Sequence, residues 1–378
     1  MSRTDPRDMS PRPGAARRRR LVAALSYGIL IVFAITTMLP FLWMVNASMK
    51  PLDAVEELSP IPRPSRQAAF VLNQLAEERD IALHTASTAD RLGMLIDAFG
   101  AEAVRAALPD PAAFPADPEA LRQAAAALPP AEAEALIERV AASRFSLLRY
   151  YGRHLAVNYD AVWNSKDISF QRYYFNSVFV AAWVTTLHCL TSAMAAYAFA
   201  RLQWPGRDHI FRLYLATMMI PGVVTMIPNY TLMVKIGLLD SYAGLIIPAS
   251  FSAFGTFLLR QFMLTLPPSL DEAAAMDGAS HWRIFWDVVM PLARPGLIVL
   301  SIFTFMGNYS SFFWPLVLIK SEHLRTLPVG MLYYDTVYGN QTNLIMAASV
   351  MNIAPLILLF ILMQRHLVAG IQLGAVKG

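Results

Sequence analysis

The 378-residue chain is poor in charge and has almost no cysteine. Asp, Glu, Lys and Arg make up 15% of it, against about 25% in soluble domains. Apolar residues make up 56% and the mean hydropathy is +0.42, which tilts the chain towards lipid and excludes disorder, collagen and a disulfide scaffold. The single cysteine, Cys189, lies in an apolar run, so no intrachain disulfide can form and the thiol reads as a small core hydrophobe. None of Lys50, Lys166, Lys235, Lys320 and Lys377 follows a glycine, which removes the Gly-Lys-Ser/Thr ending of a phosphate-binding loop. The histidines lie far apart with no His-x-x-x-His pair, so no metal ligand is assigned. His188 sits in an apolar run without Asp or Glu and reads as a neutral, hydrogen-bonded histidine. No apolar run holds the buried carboxylates of a proton relay, and no catalytic residue stands out anywhere.

What the chain has instead is six long runs free of Asp, Glu, Lys and Arg: residues 21–49, 177–200, 213–234, 241–259, 295–319 and 336–364. The last has its apolar core at 344–363. About 20 residues at 1.5 Å each cross roughly 30 Å of hydrocarbon, and a helix satisfies its own backbone there. The first run follows a basic stretch and ends near Val45-Asn46-Ala47, yet it is too long for a secretory signal, whose apolar region is about 7–15 residues. The expected fold is therefore all-α, a bundle of six transmembrane spans.

Orientation follows from the cations of short loops. Seven arginines crowd residues 1–20; Arg201, Arg207, Arg212, Arg260, Arg283, Arg294, Arg365 and Lys377 fall on the same side, and only Lys50, Lys235, Lys320 and Arg325 fall opposite. Both termini are expected in the cytoplasm of a multi-pass inner-membrane protein. Arg17 to Arg20, directly before an apolar run, read as a topology anchor on anionic lipid rather than as a nucleic-acid tail.

Residues 51–172 are a different material, with 17 acidic and 12 basic residues. They read as a loop on the outer, periplasmic side. Asp117-Pro118-Glu119 offers a cap, a proline at the first helical position and an acidic first turn, opening a helix through Leu121, Ala125 and Leu128. A second helix is expected from Pro130, with Leu136, Val140, Leu147 and Tyr151 near one face. A small helical subdomain results, either a docking surface for an outside partner or a spacer.

The most informative loop lies between the fourth and fifth runs, at 264–293. Pro267-Pro268 stops one helix; Ser269 with Glu272 three residues on predicts a capping box for the next. Ala273, Ala274 and Ala275 make that helix slim enough for another protein to approach closely, and Gly278 lets the chain reverse. Trp282, Ile284, Phe285 and Trp286 follow as an amphipathic element at the membrane surface. A short helix projecting from a bundle is a lever.

These residues resemble the integral-membrane permease subunits of bacterial ATP-binding-cassette importers. That family's signature is Glu-Ala-Ala, three residues, Gly, nine residues, then Ile-x-Leu-Pro. Here it reads Glu272-Ala273-Ala274, Gly278 and Pro291, with Val288 and Met290 in place of Ile and Leu. The fuller form, with Met290-Pro291-Leu292 and Arg294-Pro295, is similar to the maltose-type carbohydrate branch. Pro40, Trp43, Ser48 and Lys50, Asn176-Ser177, Ala196-Tyr197-Ala198-Phe199-Ala200-Arg201, Ile220-Pro221, Ile227-Pro228 and Leu327-Pro328-Val329-Gly330 resemble that branch too. The resemblance covers about residues 20–60 and 158–378; about 65–155 are extra, which points to the α-glucoside subgroup.

The resemblance implies a type I importer permease: a basic cytoplasmic tail at 1–20, the first span at 21–49, the periplasmic loop 51–172, and a permease core at 173–378 with five spans and the coupling loop. It implies that residues 272–278 sit in a cleft of a cytoplasmic ATPase dimer. Glu272 and Gly278 would carry the coupling, with Asp277 and Arg283 as supporting polar contacts and Ala273, Ala274 and Pro291 in the same ATPase-coupling loop. This chain would bind no cofactor; ATP and Mg would be used by the partner ATPase. A second homologous permease, a periplasmic or lipid-anchored sugar-binding protein and membrane lipid complete the expected partners, with no nucleic acid. Polar and aromatic groups within spans, Asn229, Tyr230, Asn308 and Tyr309, with Ser310 and Ser311 beside them, are candidates for the sugar path or for helix-to-helix hydrogen bonds. The tyrosine-rich outside loop at 321–343 would probe the solute-binding protein. A secondary carrier and a membrane-anchored receptor whose insertion is the functional part remain as other readings.

Overall fold

The computed structural model describes residues 15–57, 59–108 and 110–375, with the side chains of 21–364 apart from 335 and 338. Most of the basic tail, the side chains of Arg17 to Arg20 and of Arg365, and Lys377 lie outside what is described. Every regular element among the described residues is helical and none is a strand, as expected. The chain divides into two compact units that meet in sequence after Asn158.

The first unit opens with α1 (Ala15–Ser48), whose stretch Leu21–Ser48 is long and apolar enough to cross a membrane. Leu25, Phe33 and Leu39 are exposed along it, as lipid-facing side chains are. Its end is tightly held. Lys50 is 1% exposed, and its ammonium donates to the carbonyls of Glu57 at 2.6 Å and Ser59 at 2.9 Å. Burial pushes the Lys50 pKa down. Asn158 Nδ2 donates to the carbonyls of Ser48 at 2.8 Å and Lys50 at 2.9 Å.

The insertion is a small helical body: α2 (Pro64–Glu78), α3 (Thr88–Phe99), α4 (Ala101–Ala106), α5 (Pro118–Ala126), α6 (Pro130–Arg144) and α7 (Leu147–Trp163). Val71, Leu72, Leu92, Leu95, Leu121 and Ile137 form its core, each contributing roughly 1.5–3 kcal/mol of burial. A reciprocal capping box between Ser87 and Asp90 starts α3. Asp117 starts α5 as expected, accepting from the Ala120 N–H at 2.9 Å, with Leu121 and Ala125 buried and Leu128 packing from beyond the helix end.

The helix expected to carry Leu136, Val140, Leu147 and Tyr151 together is instead two. Phe145 takes an extended conformation (φ −68°, ψ 134°) and sets its ring 6.0 Å from Phe70 and 5.6 Å from Tyr150. That aromatic packing competes successfully with one turn of helix. Ser146 then accepts from the Tyr150 N–H at 3.0 Å to begin α7, and Leu147 is left exposed.

In the second unit α8 (Phe170–Ala200) is the axis of packing, followed by α9 (Arg207–Ala216), α10 (Gly222–Lys235), α11 (Tyr242–Ala249), α12 (Ala253–Met263) and α13 (Ser269–Met276). Then come α14 (His281–Arg283), a π-helical segment (Ile284–Val289), α15 (Met290–Leu292), α16 (Arg294–Tyr309), α17 (Phe313–Leu318), α18 (Leu327–Tyr338) and α19 (Thr342–Ala375). Val184, Met233, Leu245 and Leu318 join α8 to α10, α11 and α17. Tyr197, Leu259, Phe285 and Leu300 join it to α12, the π segment and α16; Tyr173, Tyr334 and Ala347 join its start to α18 and α19.

The runs expected as straight spans are in part bent. Leu21–Ser48, Phe170–Ala200 and Thr342–Gln364 each suffice alone, by length and composition. The remainder are bent pairs: Arg207–Met219 with Gly222–Lys235 at 98°, Tyr242–Ala249 with Ala253–Met263 at 41°, and His281–Leu292 with Arg294–Tyr309 at 76°. Counting each pair as one span gives six. At the first break Pro221 lacks an N–H and holds Ile220 extended (ψ 117°). At the second, Ser252 caps a fresh helix by accepting from the Gly255 N–H at 3.2 Å. The run at 295–319 also ends its helix at Tyr309 and restarts at Phe313.

The segment expected as an outside loop at 321–343 is mostly helix. Leu327, Val329 and Tyr334 of α18 are buried. The approach to α18 is pinned on α8: Tyr173 OH donates to Glu322 Oε1 at 3.0 Å, Asn176 Nδ2 to the carbonyls of His323 and Arg325 at 3.0 and 2.8 Å, and Ser177 Oγ accepts from the Leu327 N–H at 2.7 Å. Gly330 must be glycine, because a Cβ there would stand 2.2 Å from the Tyr173 ring.

Candidate functional site

The loop at 264–293 folds as a projecting helix with defined ends. Pro268 itself takes the helical conformation (φ −63°, ψ −27°), and its carbonyl accepts from the N–H groups of Asp271 at 3.0 Å and Glu272 at 3.2 Å. The helix therefore begins one residue before the expected position. Ser269 becomes its first residue, and the expected capping box with Glu272 does not form. Glu272 is released to the surface, along with Ala273, Ala275, Met276 and Asp277.

The far end closes as a Schellman turn. Ala279 N–H donates to the Ala274 carbonyl at 3.0 Å and Gly278 N–H to the Ala275 carbonyl at 3.0 Å, with Gly278 in the left-handed region (φ +80°). A Cβ at Gly278 would meet nothing within 4 Å, so conformation, not space, demands glycine. Ser280 Oγ then accepts from the Arg283 N–H at 3.3 Å and opens the next element. Arg283 pairs along its own helix with Asp287 at 3.3 Å rather than reaching α13. Pro291 lies exposed just before the 76° bend.

Between them the π-helical segment buries Ile284, Phe285 and Val289, setting the Phe285 ring 5.3 Å from Tyr197 of α8. Trp282 and Trp286 remain exposed. Such π turns shift the register of a helix by one residue and recur at functional sites.

The hold on α13 from α8 is what sequence reasoning missed. Arg201, which caps the C-terminus of α8, pairs with Asp271 at 3.4 Å and donates from Nη2 to the Leu266 carbonyl at 3.0 Å. A cation at a helix C-terminus is expected from the helix dipole, which is the only signal the sequence offered; its partner is a matter of tertiary structure.

A second feature lies within the spans. A cavity of about 190 Å³ is lined by Asn229, Asn308, Ser311, Trp314 and apolar side chains including Met233 and Leu245. The structure thus brings Asn229 and Asn308 to the same cavity. Asn308 Nδ2 donates to the Thr304 carbonyl at 2.8 Å on its own helix. Tyr230 packs among Val180, Met233 and Leu318, while Tyr309 is buried with its ring stacked 5.9 Å from Phe305; neither lines the cavity. His188 sits beside the Ala249 carbonyl, 3.1 Å from Nδ1, consistent with a hydrogen-bonded histidine.

Asp240 is tied to Leu318, one of the residues lining the cavity. Its N–H donates to the Leu318 carbonyl at 2.9 Å, and its carboxylate accepts from the N–H groups of Lys320 at 2.9 Å and Ser321 at 2.8 Å and from the Ser321 hydroxyl. The hydroxyl and amide bonds from Ser321 hold the Asp240 carboxyl below its ordinary value.

The sequence model of the family described as binding-protein-dependent transport system inner membrane component matches residues 190–372. The chain is 38% identical over 203 residues to the arabinooligosaccharides transport system permease protein AraQ of Halalkalibacterium halodurans, covering 54% of this chain and 73% of that protein. It is 34% identical over 226 residues to the sn-glycerol-3-phosphate transport system permease protein UgpE of Yersinia enterocolitica, covering 58% of this chain and 80% of that one. A crystal structure of a bacterial ABC transporter involved in the import of the acidic polysaccharide alginate contains a chain of similar fold. The match has a TM-score of 0.61 at 20% identity and covers 94% of this chain and 99% of that one. The part left uncovered is far shorter than residues 51–172, so the likeness of fold extends into the insertion.

Proposed function

This chain belongs to the binding-protein-dependent transport system inner membrane components, and from that premise we propose that it is the membrane-spanning permease subunit of an ATP-driven importer that carries an oligosaccharide of the α-glucoside kind across the inner membrane. The observation that carries the proposal is α13: a short, slim helix with Glu272 turned outward and a fixed left-handed end at Gly278. Such an element has the shape of a lever for a partner to grip: Glu272, Ala273, Asp277 and Gly278 form its outward or terminal surface, and Ala274 packs on the inner side.

In this reading the chain itself catalyses nothing. A cytoplasmic ATPase dimer, using ATP and Mg, would close on α13, and the closure would bias the spans between two states. A second permease would complete the translocation path, and a sugar-binding protein would deliver the substrate on the outer side, with both termini in the cytoplasm. The cavity supports Asn229 and Asn308 as sugar contacts, with Trp314 offering a face for a pyranose. Its 190 Å³ is below the roughly 300–1,000 Å³ of common ligand pockets, which suits a path walled on its other side by the partner permease. The similar proteins are named for arabinooligosaccharides and for sn-glycerol-3-phosphate, so the α-glucoside assignment rests only on the long segment after the first span, whose fold the chain of the alginate importer shares.

The test is affinity purification of the tagged chain in gentle detergent from its native membrane, followed by uptake assays with labelled maltose, trehalose and an arabinooligosaccharide. Co-purification of a P-loop ATPase and a second multi-span protein, with ATP-dependent α-glucoside uptake, is the expected result. Recovery of the chain alone, transporting in vesicles without ATP, would overturn the reading in favour of a secondary carrier. Uptake of the arabinooligosaccharide alone would leave the importer and remove the α-glucoside.

A further inference from the structure

The contacts of α13 with the rest of its unit are unequal in kind. Ala274 packs against the cluster that contains Tyr197, Met263 and Phe285. A single methyl contact of this sort is non-directional and by itself fixes neither orientation nor register. The polar contact differs. The Arg201 side chain is only 8% exposed and Asp271 22%, and the guanidinium engages Asp271 and the Leu266 carbonyl together. A partly buried ion pair backed by a directional hydrogen bond to the Leu266 carbonyl constrains orientation as well as distance.

Arg201 is also built into α8. It is the C-cap residue, with its N–H on the Tyr197 carbonyl at 2.9 Å. From the neighbouring helix Arg260 reaches back, donating from Nε to the Phe199 carbonyl at 3.1 Å with its guanidinium 4.1 Å over the Phe211 ring. The last turn of α8 is thus clamped from two sides. Further along, Val180 of the same 31-residue helix lines the cavity.

We propose that Arg201, through its ion pair with Asp271, is the positioning residue that makes the projecting helix α13 and the long helix α8 move as one body, so that a displacement of α13 reaches the cavity wall. The proposal rests on the importer reading and adds the residue pair through which the coupling helix drives the span. Glu272 and Asp271 then divide the work: Glu272 faces the partner and Asp271 faces the bundle.

The experiment uses the complex purified from native membrane, on a Cys189→Ser background, with spin labels at Ala275→Cys on α13 and Met194→Cys on α8. The label distance is measured without nucleotide and after trapping with Mg-ATP and vanadate. With Arg201 and Asp271 intact the distance is the same in both states. Arg201→Gln and Asp271→Asn leave ATP hydrolysis in place, but the distance shifts on trapping, because α13 follows the ATPase and α8 no longer follows α13. The reversed pair, R201D with D271R, restores the fixed distance. A fixed distance in Arg201→Gln with an active ATPase overturns the proposal. So does a distribution in Arg201→Gln that is already broad before trapping and that the reversed pair does not repair, since that marks a folding role alone. A preparation with no vanadate-sensitive ATPase overturns the importer reading and the tether with it, so the two failures are told apart.

Discussion

Asp271 and Glu272 are neighbours in the chain and have different fates on α13: Asp271 meets Arg201 at 3.4 Å, while Glu272 stands exposed. One turn of helix sorts two carboxylates into a structural contact and a free surface group, because successive residues are separated by about 100° around the axis.

Gly278→Asp should uncouple uptake from ATP hydrolysis while the complex still reaches the membrane. Placing a side chain at φ +80° costs about 1–2 kcal/mol even where space is open, and the new carboxylate stands where a partner would approach. Gly278→Ala should give a milder loss. Uptake and ATPase activity measured side by side in vesicles check this; normal uptake by Gly278→Asp would refute the assignment of α13.

Asn229→Ala or Asn308→Ala should raise the KM for the transported carbohydrate about 2–10-fold, the worth of one uncharged hydrogen bond. Tyr309→Phe should change uptake little, since the Tyr309 hydroxyl is buried without a hydrogen-bond partner and its ring lies off the cavity. Concentration-dependent uptake distinguishes the two; an equal effect at Tyr309 would move the path elsewhere.

Leu95→Ala removes a fully buried side chain from the core of the insertion and should cost about 2–5 kcal/mol there. Hydrogen exchange on the whole chain should show faster exchange over α2 to α6 with α8 unchanged, since α8 packs in other clusters. Uniform loss of protection would show that the insertion does not unfold as its own unit.

Asp240 sets a pH expectation. Its folded-state pKa lies below the ordinary value of 3.8, so the contact with Ser321 is fully present above that value and is lost as pH falls through the lower, folded one. The extra exchange protection of the Lys320 and Ser321 amides over Asp240→Asn should be alike at about pH 7 and about pH 5, and close only below the usual carboxylate range. A gap that closes near pH 6 would assign the contact to another group.

The elements readable in the sequence were those whose cause is local. Asp117 with Pro118 starts a helix because both act within one turn, and it does so in the structure. Gly278 ends α13 because only a left-handed residue lets the Schellman bonds form. The break at Phe145 was not readable, since its cause is the rings of Phe70 and Tyr150. The early start of α13 escaped for a different reason: Ser269 and Glu272 satisfy the capping pattern, but Pro268 is helical in this context and takes the position first.

By itself the sequence determined that this is an all-helical membrane chain with a polar insertion and a short helix stopped at Gly278, because apolar length and the glycine stop act through the solvent and the local backbone. Tertiary structure alone decided that three of the six runs bend, that Asn229 and Asn308 line one cavity while Tyr309 does not, and that Arg201 holds Asp271. These depend on which residues distant in sequence meet, and neither periodicity nor composition records that.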